Sequence, residues 1–192
     1  MGAKQDNSAL AAKVGLRVRW VEGLGVERVR VLDCFGGRGV VWREVGLRAG
    51  VTVDRVGIER DRGKAARSDL VGDNMSYLPV LDLGGFDAVD VDAYGWPVRQ
   101  LRVVAERAPG SVAVFSTRGR MALGRVPRAV LSAAGVPSGW GDAPQGLWMA
   151  QAGDLWDAYL VSLGFVASDR IVSRSSAGME MVYEQLHRAP IT

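Results

Sequence analysis

The period of apolar and polar residues changes repeatedly along this chain, and each change marks an element. From Asn7 to Glu22 the apolar positions Leu10, Val14, Leu16, Val18 and Val21 predict a helix of imperfect amphipathic spacing. Asn7 or Ser8 would cap it, and Gly23 and Gly25 would end it. A short β-rich run, Val29–Asp33, then breaks at Cys-Phe-Gly-Gly-Arg-Gly. A helix over Val40–Leu47 stops at Gly50, and a second β run, Arg55–Glu59, ends on an acid. The alternation continues with a helix over Arg60–Leu70 and a short strand or strand end at Val71–Asp73. A buried strand over Phe86–Asp92, a helix over Pro97–Ala108 and an apolar strand over Ser111–Ser116 follow. Strands alternating with helices at this spacing imply parallel βαβ units in a doubly wound α/β sheet.

The last third differs. Thr117–Gly146 is rich in Arg, Gly and Pro, with a helix expected over Pro127–Ala134, and a second helix runs from about Asp154 to Leu163. A β run over Phe165–Ser173, the turn Ser-Ser-Ala-Gly and a final strand over Glu180–Leu186 close the chain. Two consecutive strands joined by a tight turn must be antiparallel. That hairpin separates the sheet from the dinucleotide-dehydrogenase type. The whole span 1–192 reads as one domain, with an N-terminal helix at about 7–22 and a substrate-side insert at about 117–153.

Composition narrows the chemistry. With one Cys (Cys34) and one His (His187), disulfides, zinc clusters and Ser-His-Asp triads find no support, and no metal is expected. Cys34 reads as a small packing residue. Chemistry must come from carboxylates, backbone amides, hydroxyls or a bound cofactor. No run approaches the roughly 20 apolar residues needed to cross a bilayer, and the first residues are polar. The expectation is a cytoplasmic protein without a membrane partner. The net charge of +3 is too small to indicate a nucleic-acid partner by itself.

Four motifs sit at predicted strand ends. The first, Asp33-Cys-Phe35-Gly36-Gly37-Arg-Gly39, joins a strand to a helix, and its glycines let the backbone turn sharply beside a helix N-terminus. It is not the Gly-x-Gly-x-x-Gly of NAD-binding proteins. Its leading acid would repel a pyrophosphate but welcome the cationic amino group of a methionine moiety. Glu59, 26 residues after Asp33, stands where a carboxylate grips a ribose diol, with Asp61 as a rival. In Gly72-Asp73-Asn74 the acid could accept from an adenine amine, although the triplet is also good turn chemistry. The fourth motif, Asp90-Val-Asp92-Ala93-Tyr94-Gly-Trp96-Pro97, sets acids and two aromatics at the sheet edge where α/β folds bind ligands. Asp92 could accept hydrogen bonds from a substrate amine. Tyr94 could stack on a planar base, worth roughly 1–3 kcal/mol per base. Tyr94 and Trp96 could equally be packing residues over the helix start.

These four elements, in this order, resemble class I S-adenosylmethionine-dependent methyltransferases, over roughly Val29–Leu186. The fourth motif is similar to the Asp-x-Asp-Pro-Tyr-Gly-Ser-Pro segment of the tRNA guanine-N2 dimethyltransferases, with Ala93 and Trp96 as departures. The resemblance implies a Rossmann-like fold, a mostly parallel seven-stranded sheet with a C-terminal antiparallel hairpin. It implies S-adenosyl-L-methionine as cofactor, held by Asp33, Phe35, Gly37, Gly39, Glu59, Arg60, Asp73, Asn74 and Asp90. It implies Asp92, Ala93 and Tyr94 as catalytic residues and Trp96, Arg118 and Arg120 as substrate-binding ones. The acceptor would be an exocyclic amine of a nucleobase in RNA or DNA. The cluster Arg118, Arg120, Arg125 and Arg128 suits a phosphate backbone, and equally a solvated loop. Two alternatives stay open: a catalytically silent binding protein with this fold, and a methyltransferase for small molecules or proteins.

Overall fold

The computed structural model of the chain describes residues 7–67, 69–93, 95–119, 126–140, 150–174 and 180–189. Helix α1 (Asn7–Leu24) precedes strand β1 (Arg28–Asp33), helix α2 (Val40–Ala49), strand β2 (Thr52–Glu59) and the two-residue strand β3 (Leu70–Val71). A single turn, α3 (Asn74–Tyr77), leads to β4 (Ala88–Val91), α4 (Val98–Arg107) and β5 (Ala113–Gly119). Helices α5 (Arg128–Ala133) and α6 (Ala152–Ser162) come before the hairpin β6 (Phe165–Arg174) and β7 (Glu180–Arg188).

The seven strands lie in the order β3-β2-β1-β4-β5-β7-β6. The first five in this order pair parallel, and β7 pairs antiparallel with both β5 and β6. This is the Rossmann-like sheet that the alternating pattern and the terminal hairpin predict. The order reverses between β1 and β4, where the crossovers leave on opposite sides, the position at the carboxyl edge where open α/β sheets bind ligands. One apolar layer packs α3, α4, α5 and α6 on one face around Leu32, Val89, Leu101 and Trp156; a second packs α1 and α2 on the other around Val31, Trp42 and Phe115. Helix α1 explains its own weak periodicity. It lies against α2, β6 and β7 together, so Val14, Leu16 and Arg17 are all buried and no single stripe suffices.

Most predicted elements keep their places with ends shifted by a few residues. The helix expected over Arg60–Leu70 does not form. Turns and bends replace it, because Asp61 accepts from Gly63 N–H and Asp69 turns inward to accept from Ala66 and Gly57 N–H. Side chains that satisfy local amides compete directly with helical bonding. The expected turn at 175–178 lies outside the described residues. Among the described residues no helix is long and apolar enough to cross a membrane.

Gly39 illustrates how tightly the first turn is made. It caps α2 at φ 65°, and a Cβ there would lie 2.8 Å from Arg55 Nε. Gly39→Ala therefore combines left-handed backbone strain with displacement of a guanidinium. It is expected to lower stability by about 2 kcal/mol, read by thermal denaturation. An unchanged midpoint would show that the turn has another accessible shape.

Candidate active site

Acidic residues end β1, β2 and β4 at the same edge. Asp33 and Asp90 are register partners on neighbouring strands, so their side chains leave the same face, and Asp92 follows one step beyond β4. Three carboxylates this close need cations, and α1 supplies two. Arg17 forks onto Asp90 with Nε–Oδ2 and Nη2–Oδ1 distances of 2.7 Å each, both side chains being buried. Trp42 Nε1 donates to the same Asp90 Oδ2 at 2.7 Å. Lys13, one turn earlier, places Nζ 2.5 Å from Asp92 Oδ2.

The third cation is Arg55 on β2. It runs beneath the glycine turn, with Nη2 at 2.7 and 2.9 Å from the two Asp69 oxygens, Nη1 at 3.2 Å from Asp33 Oδ2 and 3.3 Å from the Gly36 carbonyl. Burial, with Asp90 beside it, pushes Asp33 up to about 7 against the pull of Arg55. Burial also raises the Cys34 thiol well above its ordinary value, which keeps it protonated and in character with a packing residue.

The inner side of the glycine turn is filled by that guanidinium and the outer side is open. A Cβ on Gly36 would meet Arg55 Nη1 at 2.6 Å, whereas beside Gly37, at φ 47°, nothing lies nearer than 3.9 Å. Glu59 faces this opening: Oε2 accepts from Gly37 N–H at 2.9 Å and Oε1 from Asp61 N–H at 2.8 Å. Each oxygen keeps a lone pair for a further donor. An open, left-handed turn thus lies between Asp33 and Glu59, with the Glu59 carboxylate able to accept from a further donor.

Other expected residues take different places. Asp73 caps α3 through Met75 N–H and pairs with the exposed Arg60 at 2.6 Å; its carboxyl is held below the ordinary range chiefly by that amide. Asn74, expected beside the cofactor, is turned inward. It is buried, donating to the Cys34 carbonyl and accepting from Gln100, so it fastens the turn after β1 to α4. Asp90 is 2% exposed beneath the edge, its oxygens taken by Arg17 and Trp42. Phe35 packs on the larger core, and Ala93 is buried with its N–H turned back to the Val91 carbonyl at 2.9 Å. Trp96 meets Trp156 edge-on, and Arg118, expected on a rim, is buried with its guanidinium 5.9 Å from the Trp96 ring centre. Tyr94 and Arg120 lie outside the described residues.

Sequence reasoning missed Lys13, Arg17, Arg55 and Asp69. Nothing marks Arg17 among 21 arginines, but Arg55 and Asp69 flank a strand end next to an acid-led glycine turn, which is a usable signal. The groove lined by Asp157, Leu160, Val161 and Phe165–Arg170, about 370 Å³, lies toward the opposite, amino-terminal edge of the sheet. Among the described residues no cluster of His, Cys, Asp and Glu could hold a metal ion.

The strand order and the terminal antiparallel hairpin make a Rossmann-like α/β fold. No family model and no curated protein matches the chain in sequence. Solved structures share its fold. The candidate methyltransferase YhhF from Escherichia coli superposes with TM-score 0.56 at 14% identity, over 94% of this chain and 87% of that one. A candidate RNA methyltransferase, PH1948 from Pyrococcus horikoshii, gives 0.52 at 13% identity over 92% and 83% of the two chains. TYW2 from M. jannaschii, solved in complex with AdoMet, gives 0.50 at 11% identity over 92% and 76%. At such identities the shared property is the fold.

Proposed function

We propose that this chain is an S-adenosylmethionine-dependent methyltransferase acting on an exocyclic amine of a nucleobase in RNA or DNA. The observation that carries the reading is the open glycine turn bracketed by Asp33 and Glu59 at the β1/β4 switch point. Its chemistry suits the methionine and ribose parts of that cofactor, and a neighbour of the same fold was solved with AdoMet. The nucleic-acid part leans on the fourth motif and on the name of the RNA methyltransferase neighbour.

Bound there, the cofactor supplies a methyl group on a sulfonium, already activated toward nucleophiles. Asp33 would hold the amino group, Glu59 the ribose hydroxyls, and Asp73 with Gly37 the remaining edge. Arg55 keeps the turn in shape from below. Asp92 accepts a hydrogen bond from the acceptor amine, aims its lone pair and takes up the proton that the methylated nitrogen sheds. The Ala93 carbonyl would accept a second N–H, and Tyr94 would supply an aromatic ring for the base to stack on. Such a site works by positioning and electrostatics, so one residue carries much of the rate.

Calorimetric titration with S-adenosylmethionine or its demethylated product tests the first part; no heat would sink it. Asp92→Asn is expected to leave that binding within two-fold and to cut transfer roughly 10²-fold or more, measured with methyl-labelled cofactor against RNA and DNA pools. Label entering protein or small molecules instead would replace the acceptor class and leave the cofactor reading intact.

A further inference from the structure

The basic residue at Asp92 is a lysine in a chain that otherwise uses arginine. Only Lys4, Lys13 and Lys64 stand against 21 arginines. Arg17, Arg19, Arg28, Arg55, Arg60 and Arg170 make the other long-range ion pairs among the described residues with a guanidinium. Lys13 instead offers a compact amine that can turn about its axis. Its nitrogen lies 2.5 Å from Asp92 Oδ2 and 5.6 Å from the centre of the Tyr183 ring. A carboxylate on one side and an aromatic face on the other is a receptor for an amino group.

The lysine does not drift into this place. Arg17, clamped to Asp90, donates from Nη1 to the Lys13 carbonyl at 2.9 Å, so the buried fork fixes the backbone that carries Lys13. Trp20 on the same helix packs edge-on against Trp42 and Phe115. The helix is held at Arg17 and Trp20, and the side chain of Lys13 reaches the edge with 20% of it exposed.

We propose that Lys13 is the resident occupant of the acceptor-amine site: its ammonium holds the place beside Asp92 and yields it to the incoming amine. This rests on the reading of Asp92 as the acid that orients the acceptor. It adds a residue from α1 to a site otherwise built from strand ends, and it makes acceptor affinity the difference between two amines competing for one carboxylate. An acceptor that cannot present N–H donors fails to displace the lysine and is refused.

Calorimetry on the full chain separates the alternatives. With S-adenosylhomocysteine bound, guanosine and adenosine monophosphates are titrated into wild type, Lys13→Met and Lys13→Arg. Removing the competitor is expected to tighten binding of at least one nucleotide roughly three- to ten-fold in Lys13→Met, because the binding-ready fraction rises. Lys13→Arg should bind the nucleotides no more tightly than wild type, and S-adenosylhomocysteine affinity should be the same in all three. Equal, weaker or absent nucleotide binding in Lys13→Met, with S-adenosylhomocysteine affinity intact, overturns the proposal and leaves the methyltransferase reading standing. Loss of S-adenosylhomocysteine binding from wild type overturns that reading instead. A second measurement needs no cofactor: acylation of lysines by an N-hydroxysuccinimide ester, read by peptide mass spectrometry. Asp92→Asn should raise the rate at Lys13 several-fold relative to Lys64, and an unchanged ratio would also overturn the proposal.

Discussion

Replacing Arg17 by leucine is expected to destabilise the protein by about 3–5 kcal/mol, since it strands a buried carboxylate. Asp90 is 2% exposed and takes two charge-assisted hydrogen bonds from Arg17, against one from Trp42. Nor can it look to Asp33, its register partner, which is itself an acid. For a chain of this size the loss corresponds to roughly 6–20 °C in the thermal midpoint. The combined change Arg17→Leu with Asp90→Leu should recover most of it, because the cost lies in the orphaned charge rather than in the absence of the pair. Calorimetric unfolding of the two variants reads this directly. Equal losses in single and double variants would mean that the fork itself, and not the stranded acid, sets the stability.

A second large effect concerns pH. Burial and the neighbouring Asp90 raise Asp33 from 3.8 to about 7, so the folded protein binds a proton there that the unfolded chain has released. The sign follows: stability from this group is full below the unfolded value, falls as pH rises from there, and is level above about 7. Cofactor binding runs the other way. An ammonium needs the ionised carboxylate, so affinity for S-adenosylhomocysteine is expected to rise about ten-fold from pH 6 to pH 8. Asp33→Asn should bind weakly and with a flat profile over that range. A wild-type profile as flat as that of the variant would detach Asp33 from the ligand's amino group.

The sheet was legible because its strands read as β-branched, largely apolar runs ending in acids: Val29–Asp33, Arg55–Glu59 and Phe86–Asp92 each contain an observed strand or overlap one, and β4 is buried throughout. The antiparallel hairpin was legible from the short polar turn between its strands. The segment after β2 was misread for a physical reason. Its helix-like spacing is overruled by Asp69, whose side chain is wanted by Arg55 and the Gly57 amide on β2 and by the Ala66 amide within the segment. Site residues divide in the same way. Asp33, Gly37 and Glu59 follow from position at strand ends. Asn74, by contrast, is a turn residue in sequence that tertiary packing turns inward to Cys34 and Gln100. Lys13 and Arg17 were invisible because nothing local announces a helix that will be pinned to a strand 73 residues further on.

That separation has a consequence for how the protein is made. At ribosomal rates of about 5–20 residues per second, the residues of α1 wait roughly 4–15 s before Asp90 is even polymerised, and longer for Phe115. During that interval Arg17, Trp20 and the valines of α1 have no sheet to rest on. The helix at the front of the chain is then among the late pieces to be seated, and until it arrives the acids at the edge of β1 and β4 face one another without their two cations from α1.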